Sequence, residues 1–536
     1  MKIQTQGPQQ LYQVAQPCSV EIFLKLDQLL DKRANIQFQF PNSWSLVSGP
    51  SYTRAFQCAD PKARHYVSVS ATGDTQAVFE LSIQNRHLYY PKGAVRHGRL
   101  FTAKLTEGNI PAGTLIRIGY ENTNAPYVSE TEEMWIRVNE EAPEHPPVLK
   151  TIAGSHEYFR VIVPSHAKQK KEFDVLLVSL DQFDNASSTA FKGETLSFMD
   201  GTVIAKDINF SGALRVPVKI AQAGVYRFHF KKTVSNAIKV DDSTDEQYWG
   251  DLHIHTKLSH DAQGTAPYTY AREVSGLDFA AVTDHWESLG PEGYRIVNKW
   301  AEEANIPEVF VTLPADERNP DELTGHHNVY FSGSKTMDRY QPIHDENDPS
   351  VNSFSRLQEG EGSEVMIIPH HTGIMFGDLH ADVGSVISTR PTIFCYCMKL
   401  LHLISGCLEK NNTRKFLNEY VDWNAADDKR LRPVMEIYSH HGQSEVYNPQ
   451  HLLAYENNRM RNPERRANTS APGPFYAQDY WMQEKRIGVI ASSDEHSGQG
   501  GRRHGGITAV FTNNLTREGI FKALRQRRCY ATTGER

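Results

Sequence analysis

The chain has 536 residues, enough for about three domains at roughly 100–200 residues each. Its 57 Lys and Arg against 64 Asp and Glu give a formal net charge of −7, which argues against a basic nucleic-acid binder, so no nucleic-acid partner is expected. Hydrophobic residues at 39% and charged residues at 23% describe a globular chain, and no apolar run is long enough to predict a membrane-spanning helix. The opening MKIQTQGPQQLYQVAQP lacks the apolar core of a secretory signal. The six cysteines are scattered, as expected in a reducing compartment, and the protein is read as cytoplasmic.

The first 240 residues read as β structure. Ser19–Leu26, Ile36–Phe40, Tyr66–Ser70, Val78–Gln84 and Leu115–Tyr120 alternate, or are β-branched and aromatic, between Pro, Gly, Asn and Asp. The Pro-rich stretch Glu140–Lys150 is predicted as a linker. A second set follows at Tyr158–Val163, Phe173–Leu180, Leu214–Ile220 and Val225–Phe230, with a strand and turn at Val178–Asn185 that resembles bacterial Ig-like modules. The acidic stretch Asp241–Gln247 is the next predicted linker. The expected organisation is therefore a β-sandwich domain at 1–145, an Ig-like β-sandwich at 146–240 and an α/β domain at 248–536.

From Tyr248 apolar strands alternate with helical stretches, and six of them run into His, Asp or Glu. Tyr248–Leu252 leads to His253 and His255, and Phe279–Asp284 leads to His285. Val309–Leu313 leads to Asp316 and Glu317, and Val365–Ile368 leads to His370 and His371. Pro433–Tyr438 leads to His440 and His441, and Ile487–Ser492 leads to Asp494 and His496. Of the 23 histidines, 16 fall between His253 and His504, under half the chain. In a parallel α/β barrel such strand ends share the face that carries the active site. His253 and His255, at i and i+2 of a strand, point to one side. Asp261 follows on a short loop, and His326 and His327 precede the strand-like Val329–Ser332. Singly, a strand-end His is more often a hydrogen-bonded core residue, and a lone loop Glu is more often solvated. Six such coincidences together favour a metal centre. Nitrogen and oxygen donors without thiolate suit Zn, Mn or Fe. About nine donors exceed the four or so that one zinc takes, so two or three divalent ions are expected.

In order, DLHIHT, GLDFAAVTDH, the ADE stretch, GHHNVYF, IIPHH and SSDEH resemble the PHP superfamily (polymerase and histidinol phosphatase domain) over roughly Tyr248–Arg536. The resemblance implies a distorted (β/α)7 barrel and a metal-dependent hydrolase, mostly phosphoesterase, that uses a metal-activated hydroxide. It places His253, His255, Asp261, His285, Glu317, His326, His370, Asp494 and His496 at ligand positions, with Glu317 bridging; His327 and His371 are the alternatives to their neighbours. EIYSHHGQSE and RRCYATTGER also recur in a branch with an N-terminal β-sandwich region. Relatives commonly continue past ATTGER, which is compatible with a fragment. About 385–415 is an atypical insertion carrying Cys395, Cys397 and Cys407.

A small, anionic substrate is expected. Arg318 and Arg503 are the best candidates to hold it, ahead of Lys257, Arg502 and His504; for any one of these, a solvated surface charge is the commoner case. His371 or His441 would protonate the leaving group, and the glycines at Gly498–Gly501 and Gly505–Gly506 would let their loop flex over substrate. Hydrolysis of a carboxyl ester, amide or other non-phosphate bond is the alternative. A non-catalytic binding protein acting through its sandwiches is a third reading, opposed by the complete donor set. The favoured role of the sandwiches is to pack against the barrel.

Overall fold

The computed structural model describes residues 1–7, 10–45, 56–73, 76–84, 99–243, 246–259, 261–318, 326–341, 357, 361–372, 430–448, 450–454 and 475–536. The insertion expected at about 385–415, with its three cysteines, lies outside them. Two compact units emerge. One comprises Met1–Tyr158, Leu180–Thr189 and Lys257–Thr265; the other comprises Phe159–Ser179, Ala190–Thr256 and Ala266–Arg536.

The first unit is built on two four-stranded antiparallel sheets. In one, the order is Ile3–Gln6, Pro17–Leu26, Leu115–Asn124, Tyr66–Ala71; in the other it is Trp135–Val138, Asn35–Gln39, Leu100–Glu107, Val78–Gln84. Alternation explains the layering. Along Pro17–Leu26 the side chains of Val20, Ile22, Leu24 and Leu26 are buried, while Glu21 and Lys25 face solvent. Phe38 stacks on Phe101 with ring centroids 4.9 Å apart, and Phe40, Phe56 and Tyr120 close around them. The stretch expected as a linker at Glu140–Lys150 runs into a strand, Val148–Ile152, which pairs with Thr131–Glu133. Its Pro residues terminate the preceding segment but leave the following backbone free to pair.

The second unit begins with another sandwich. Its strands include Glu172–Leu180, Phe191–Phe198, Val203–Phe210, Ala213–Lys219 and Phe228–Phe230, around a core that includes Val175, Leu177, Leu196, Phe228 and Phe230. The run expected at Val225–Phe230 divides into Gly224–Tyr226 and Phe228–Phe230, which join different sheets.

The rest of this unit mixes strands with helices at Pro267–Glu273, Trp286–Ala304, Ser334–Arg339, Ala477–Met482 and Arg517–Arg525. A closed parallel barrel, the sequence expectation, does not appear among the described residues. The strands fall into three sheets. Val311–Leu313, Phe279–Val282 and Glu246–Ile254 pair in parallel, but Ile507–Thr512 is antiparallel to the last of these and pairs on its far side with Cys529–Thr532. Ala315–Arg318 and Val365–Pro369 flank His327–Phe331, both antiparallel to it. Val434–Ser439 pairs in parallel with Gly488–Ala491. Pro314, which has no amide hydrogen to continue a ladder, separates the strand Val311–Leu313 from Ala315–Arg318. Gly250 matters to the sheet: a Cβ there would enter the Phe279 ring on the neighbouring strand.

Candidate metal centre

Backbone bonds at the strand ends hold the predicted donors together. His255 N donates to Glu495 O (2.9 Å), Glu317 N to Asp284 O (3.1 Å), His370 N to His326 O (3.2 Å) and His440 N to Ser493 O (3.1 Å). Asp251 reinforces this frame. Its Oδ1 accepts from Ser493 N (3.0 Å) and His253 N (3.2 Å), and its Oδ2 accepts from Gly501 N (2.7 Å). Burial pushes the Asp251 carboxyl up to about 6 despite those bonds. Asp284 does similar work by accepting from both the amide and the hydroxyl of Thr256, each at 2.7 Å.

Two carboxylates are the hubs. Glu317 Oε2 lies 3.3 Å from His253 Nε2 and 3.0 Å from His255 Nε2, with His285 Nδ1 at 3.7 Å. Glu317 Oε1 lies 2.9 Å from His326 Nδ1 and 3.2 Å from His370 Nε2. Glu317 thus faces one group of imidazoles with each oxygen. Asp494 Oδ1 lies 3.2 Å from His253 Nε2, 3.3 Å from His255 Nε2 and 3.5 Å from His496 Nδ1, and its Oδ2 lies 3.3 Å from His441 Nε2. Asp494 and His371 have positive φ, 54° and 31°, unusual for residues with a Cβ and often found where a site dictates the backbone.

The donor set fits divalent ions. Five overlapping groups bring together three or four donor atoms that lie within 4.8 Å of one another: Glu317 with His326, His370 and His371; His255 with His285 and His496; His253 with His255 and Glu317; His371 with His441 and Asp494; His440 with Asp494 and His496. Among the described residues, His370 Nδ1 and His371 Nδ1 are buried with no hydrogen-bond partner.

The electrostatics also call for positive charge. Burial alone would push Glu317 and Asp494 up, but neighbouring imidazoles hold both well below the usual carboxylate range; His285 leads for Glu317, and His253 and His440 for Asp494. Burial alone would strip the proton from His253, yet Asp494 and Glu436 hold its charged form well above the usual range. Glu436 is pushed up to about 7 by burial against the pull of His253. The surrounding acids, Asp494 and Glu436 first, account for the rise of His253, whereas burial accounts for that of Glu436. His370, by contrast, falls to about 3 through burial and stays neutral, the form in which imidazole binds metal.

Of the sequence-predicted residues, His253, His255, His285, Glu317, His326, His370, His371, His441, Asp494 and His496 come together in these groups. His326, rather than the buried His327, joins its group; His370 and His371 both do. Asp261 is not among the members of these groups. Arg318 departs from expectation. It is fully buried, with Nε 2.7 Å and Nη2 3.0 Å from the two Asp316 oxygens and Nη2 also donating to Tyr340 O at 3.0 Å. The strand alternation that turns Glu317 toward the histidines turns Asp316 and Arg318 to the other side. No surface of Arg318 is left for a substrate. Arg502 is paired with Glu495, while Arg503 lies exposed in the following turn. The glycine loop is tied down rather than free. Gly498 N donates to His255 O (3.0 Å), Ser275 Oγ to Gly500 O (2.7 Å), and both Arg160 terminal nitrogens to Gly501 O (3.2 Å). Gly501 has φ 69°, which suits a residue without a Cβ.

Sequence reasoning missed Glu436, whose Oε2 lies 3.1 Å from His253 Nδ1, and the part played by His440. An acid in the middle of the otherwise apolar PVMEIY was the available signal for Glu436.

Known proteins add modest likenesses. A profile of the family described as "Protein of unknown function (DUF3604)" matches residues 481–536. An uncharacterized protein of Chlamydia pneumoniae is 21% identical over 401 residues, 70% of this chain and 56% of that protein. The chain therefore spans little more than half the length of that relative. Among solved structures, a two-domain protein of Bacteroides vulgatus, described as containing a predicted PHP-like metal-dependent phosphoesterase, is similar over 54% of this chain and 66% of its own, at 15% identity and a TM-score of 0.28. InvD of Yersinia pseudotuberculosis is similar over 44% of this chain and 56% of its own, at 12% identity and a TM-score of 0.20. The major pilin subunit of Bacillus cereus is similar over 44% and 60%, at 10% identity and a TM-score of 0.14. No helix among the described residues is long and apolar enough to cross a membrane.

Proposed function

We propose that the protein is a metal-dependent hydrolase of the PHP type, acting on a small phosphate ester, with its α/β region a distorted relative of the family's barrel. The observation that carries this is the convergence of eleven histidine, aspartate and glutamate side chains from distant strand ends into overlapping donor groups. His253, His255, His285, Glu317, His326, His370, Asp494 and His496 would hold two or three Zn, Mn or Fe ions. Bound there, the ions would supply Lewis-acid charge and an activated water.

The chain's own residues do the rest. Glu317 orients imidazoles on both of its sides. Glu436 holds the His253 ring from its far nitrogen, which sets the tautomer available on the other. Of the two candidate proton donors, His371 is held neutral by burial, so it seldom carries a proton to give. His441, bonded to Asp494 Oδ2 and 10% exposed, is the better placed to carry a proton to a leaving group. Arg503 remains the candidate anion contact.

The withdrawal of Arg318 into the core favours a second reading, in which the same centre hydrolyses a carboxyl ester or amide that needs no arginine clamp. Metal content by plasma mass spectrometry, on protein purified without chelator and beside a His253→Ala/His255→Ala variant, tests the centre. Two or more ions per chain, reduced in the variant, are expected. A protein that stays metal-free after reconstitution with all three ions would sink the proposal. A screen of phosphate and carboxyl esters on the loaded enzyme then separates the two readings.

A further inference from the structure

The stretch EIYSHHGQSE holds two histidines, and the PHP resemblance gives neither a ligand position. The structure sets the first of them, His440, beside two residues that have one. Val434–Ser439 runs parallel to Gly488–Ala491, with Tyr438 opposite Ala491. Continued past both strand ends, that register brings His440 to Ser493, the residue before Asp494. Ser492 N donates to Tyr438 O and His440 N to Ser493 O, each at 3.1 Å. Ser439 pairs with Gly442, so His440 and His441 form the two-residue turn of a hairpin, which fixes the backbone of His440.

The ring is fixed as well. His440 is 4% exposed, and its Nδ1 lies 3.2 Å from the Ser493 carbonyl. A carbonyl only accepts, so Nδ1 carries the hydrogen and Nε2 carries the lone pair, the form of imidazole that binds a metal. His496 repeats the arrangement, with Nδ1 2.9 Å from Asp494 O. Metal-ligating imidazoles almost always give their other N–H to such an acceptor, which sets tautomer and ring direction. His440, Asp494 and His496 each offer a donor atom, all within 4.8 Å of one another, and the two rings have centroids 5.3 Å apart. The bond to Ser493 would account for a purely structural histidine; the convergence with Asp494 and His496 would not.

We propose that His440 is a metal ligand through Nε2 and completes, with Asp494 and His496, one ion site of the centre; this rests on the metal-dependent reading above. Two imidazoles and a carboxylate suit Zn2+.

The test is Zn2+ loading of the full chain after chelator washing, in the parent and in His440→Asn. Ions per chain are counted by mass spectrometry, and affinity is read by competition against a chromophoric chelator. Asparagine sets an amide N–H near the position of Nδ1, so it keeps a donor for Ser493 O and removes the Nε2 ligand. One ion should bind at least about 100-fold more weakly in His440→Asn, the upper end of what altering a group that only orients a ligand costs, while the other ions keep the parent affinity. A folded His440→Asn protein with the parent's stoichiometry and affinity overturns the proposal. Anomalous diffraction at the zinc edge from the loaded parent covers the case in which the variant misfolds. Zinc about 2.0–2.1 Å from His440 Nε2 is expected, and zinc bound elsewhere in the centre with none at His440 overturns the proposal while leaving the hydrolase reading intact. A parent that takes up no metal overturns both.

Discussion

Glu317→Gln is the sharpest probe of the proposed centre. The change keeps the size of the side chain and removes its charge. Glu317 places one oxygen 3.0–3.3 Å from His255 and His253, and the other 2.9–3.2 Å from His326 and His370. A glutamine can offer only one oxygen, and its amide NH2 must face one pair of ring nitrogens. Altering a group that merely orients a metal ligand typically costs 10–100-fold in metal affinity. A carboxylate shared by two donor groups should cost at least the upper value, about 100-fold, or ~2.8 kcal/mol at 1.4 kcal/mol per decade. The assay is competition against a chromophoric chelator, with ions per chain counted by mass spectrometry and folding checked by circular dichroism. Both donor groups should weaken together. A folded Glu317→Gln protein with the parent's stoichiometry and affinity would refute the bridging role.

Glu436→Gln should weaken metal binding by about 10–100-fold without removing a ligand, read in the same competition assay; no change would mean that the His253 contact is incidental. Arg318→Met should destabilise by about 3–5 kcal/mol by stranding the buried Asp316 charge, and Asp316→Leu/Arg318→Met should recover most of that in a denaturant melt; normal stability with lost activity would return Arg318 to the substrate. Asp278 is raised to about 6 by burial, against a usual 3.8, so the folded state binds the extra proton between those values. Its contribution to stability therefore improves as pH falls from about 6 to 4. Asp278→Asn should remove that slope and gain about 1–3 kcal/mol at pH 8, at 1.36 kcal/mol per pKa unit; a melt series with the parent's pH slope would contradict it. Phe38→Ala, emptying the stack on Phe101, should cost about 3–5 kcal/mol in the denaturant midpoint while leaving metal content unchanged.

The histidine motifs were legible because they depend on order along one chain. His253 and His255 share a strand face by local geometry alone, and the apolar runs before His285, Glu317, His370 and Asp494 mark strand ends wherever those strands pack. The alternation in Pro17–Leu26 likewise marks a sandwich strand without help from its neighbours. Facing across the fold is another matter. That Arg318 turns into the core while Glu317 turns toward the histidines depends on how Ala315–Arg318 pairs with His327–Phe331, a register set by residues far away in sequence. Glu436 became part of the site only when Val434–Ser439 came to lie beside His253. The three separate sheets were equally hidden, since an apolar strand reads alike whether its partner runs parallel or antiparallel. Local residue pattern determined which side chains stand at strand ends; the pairing of distant strands decided which of them meet, because side-chain direction follows register and register is a property of two segments at once.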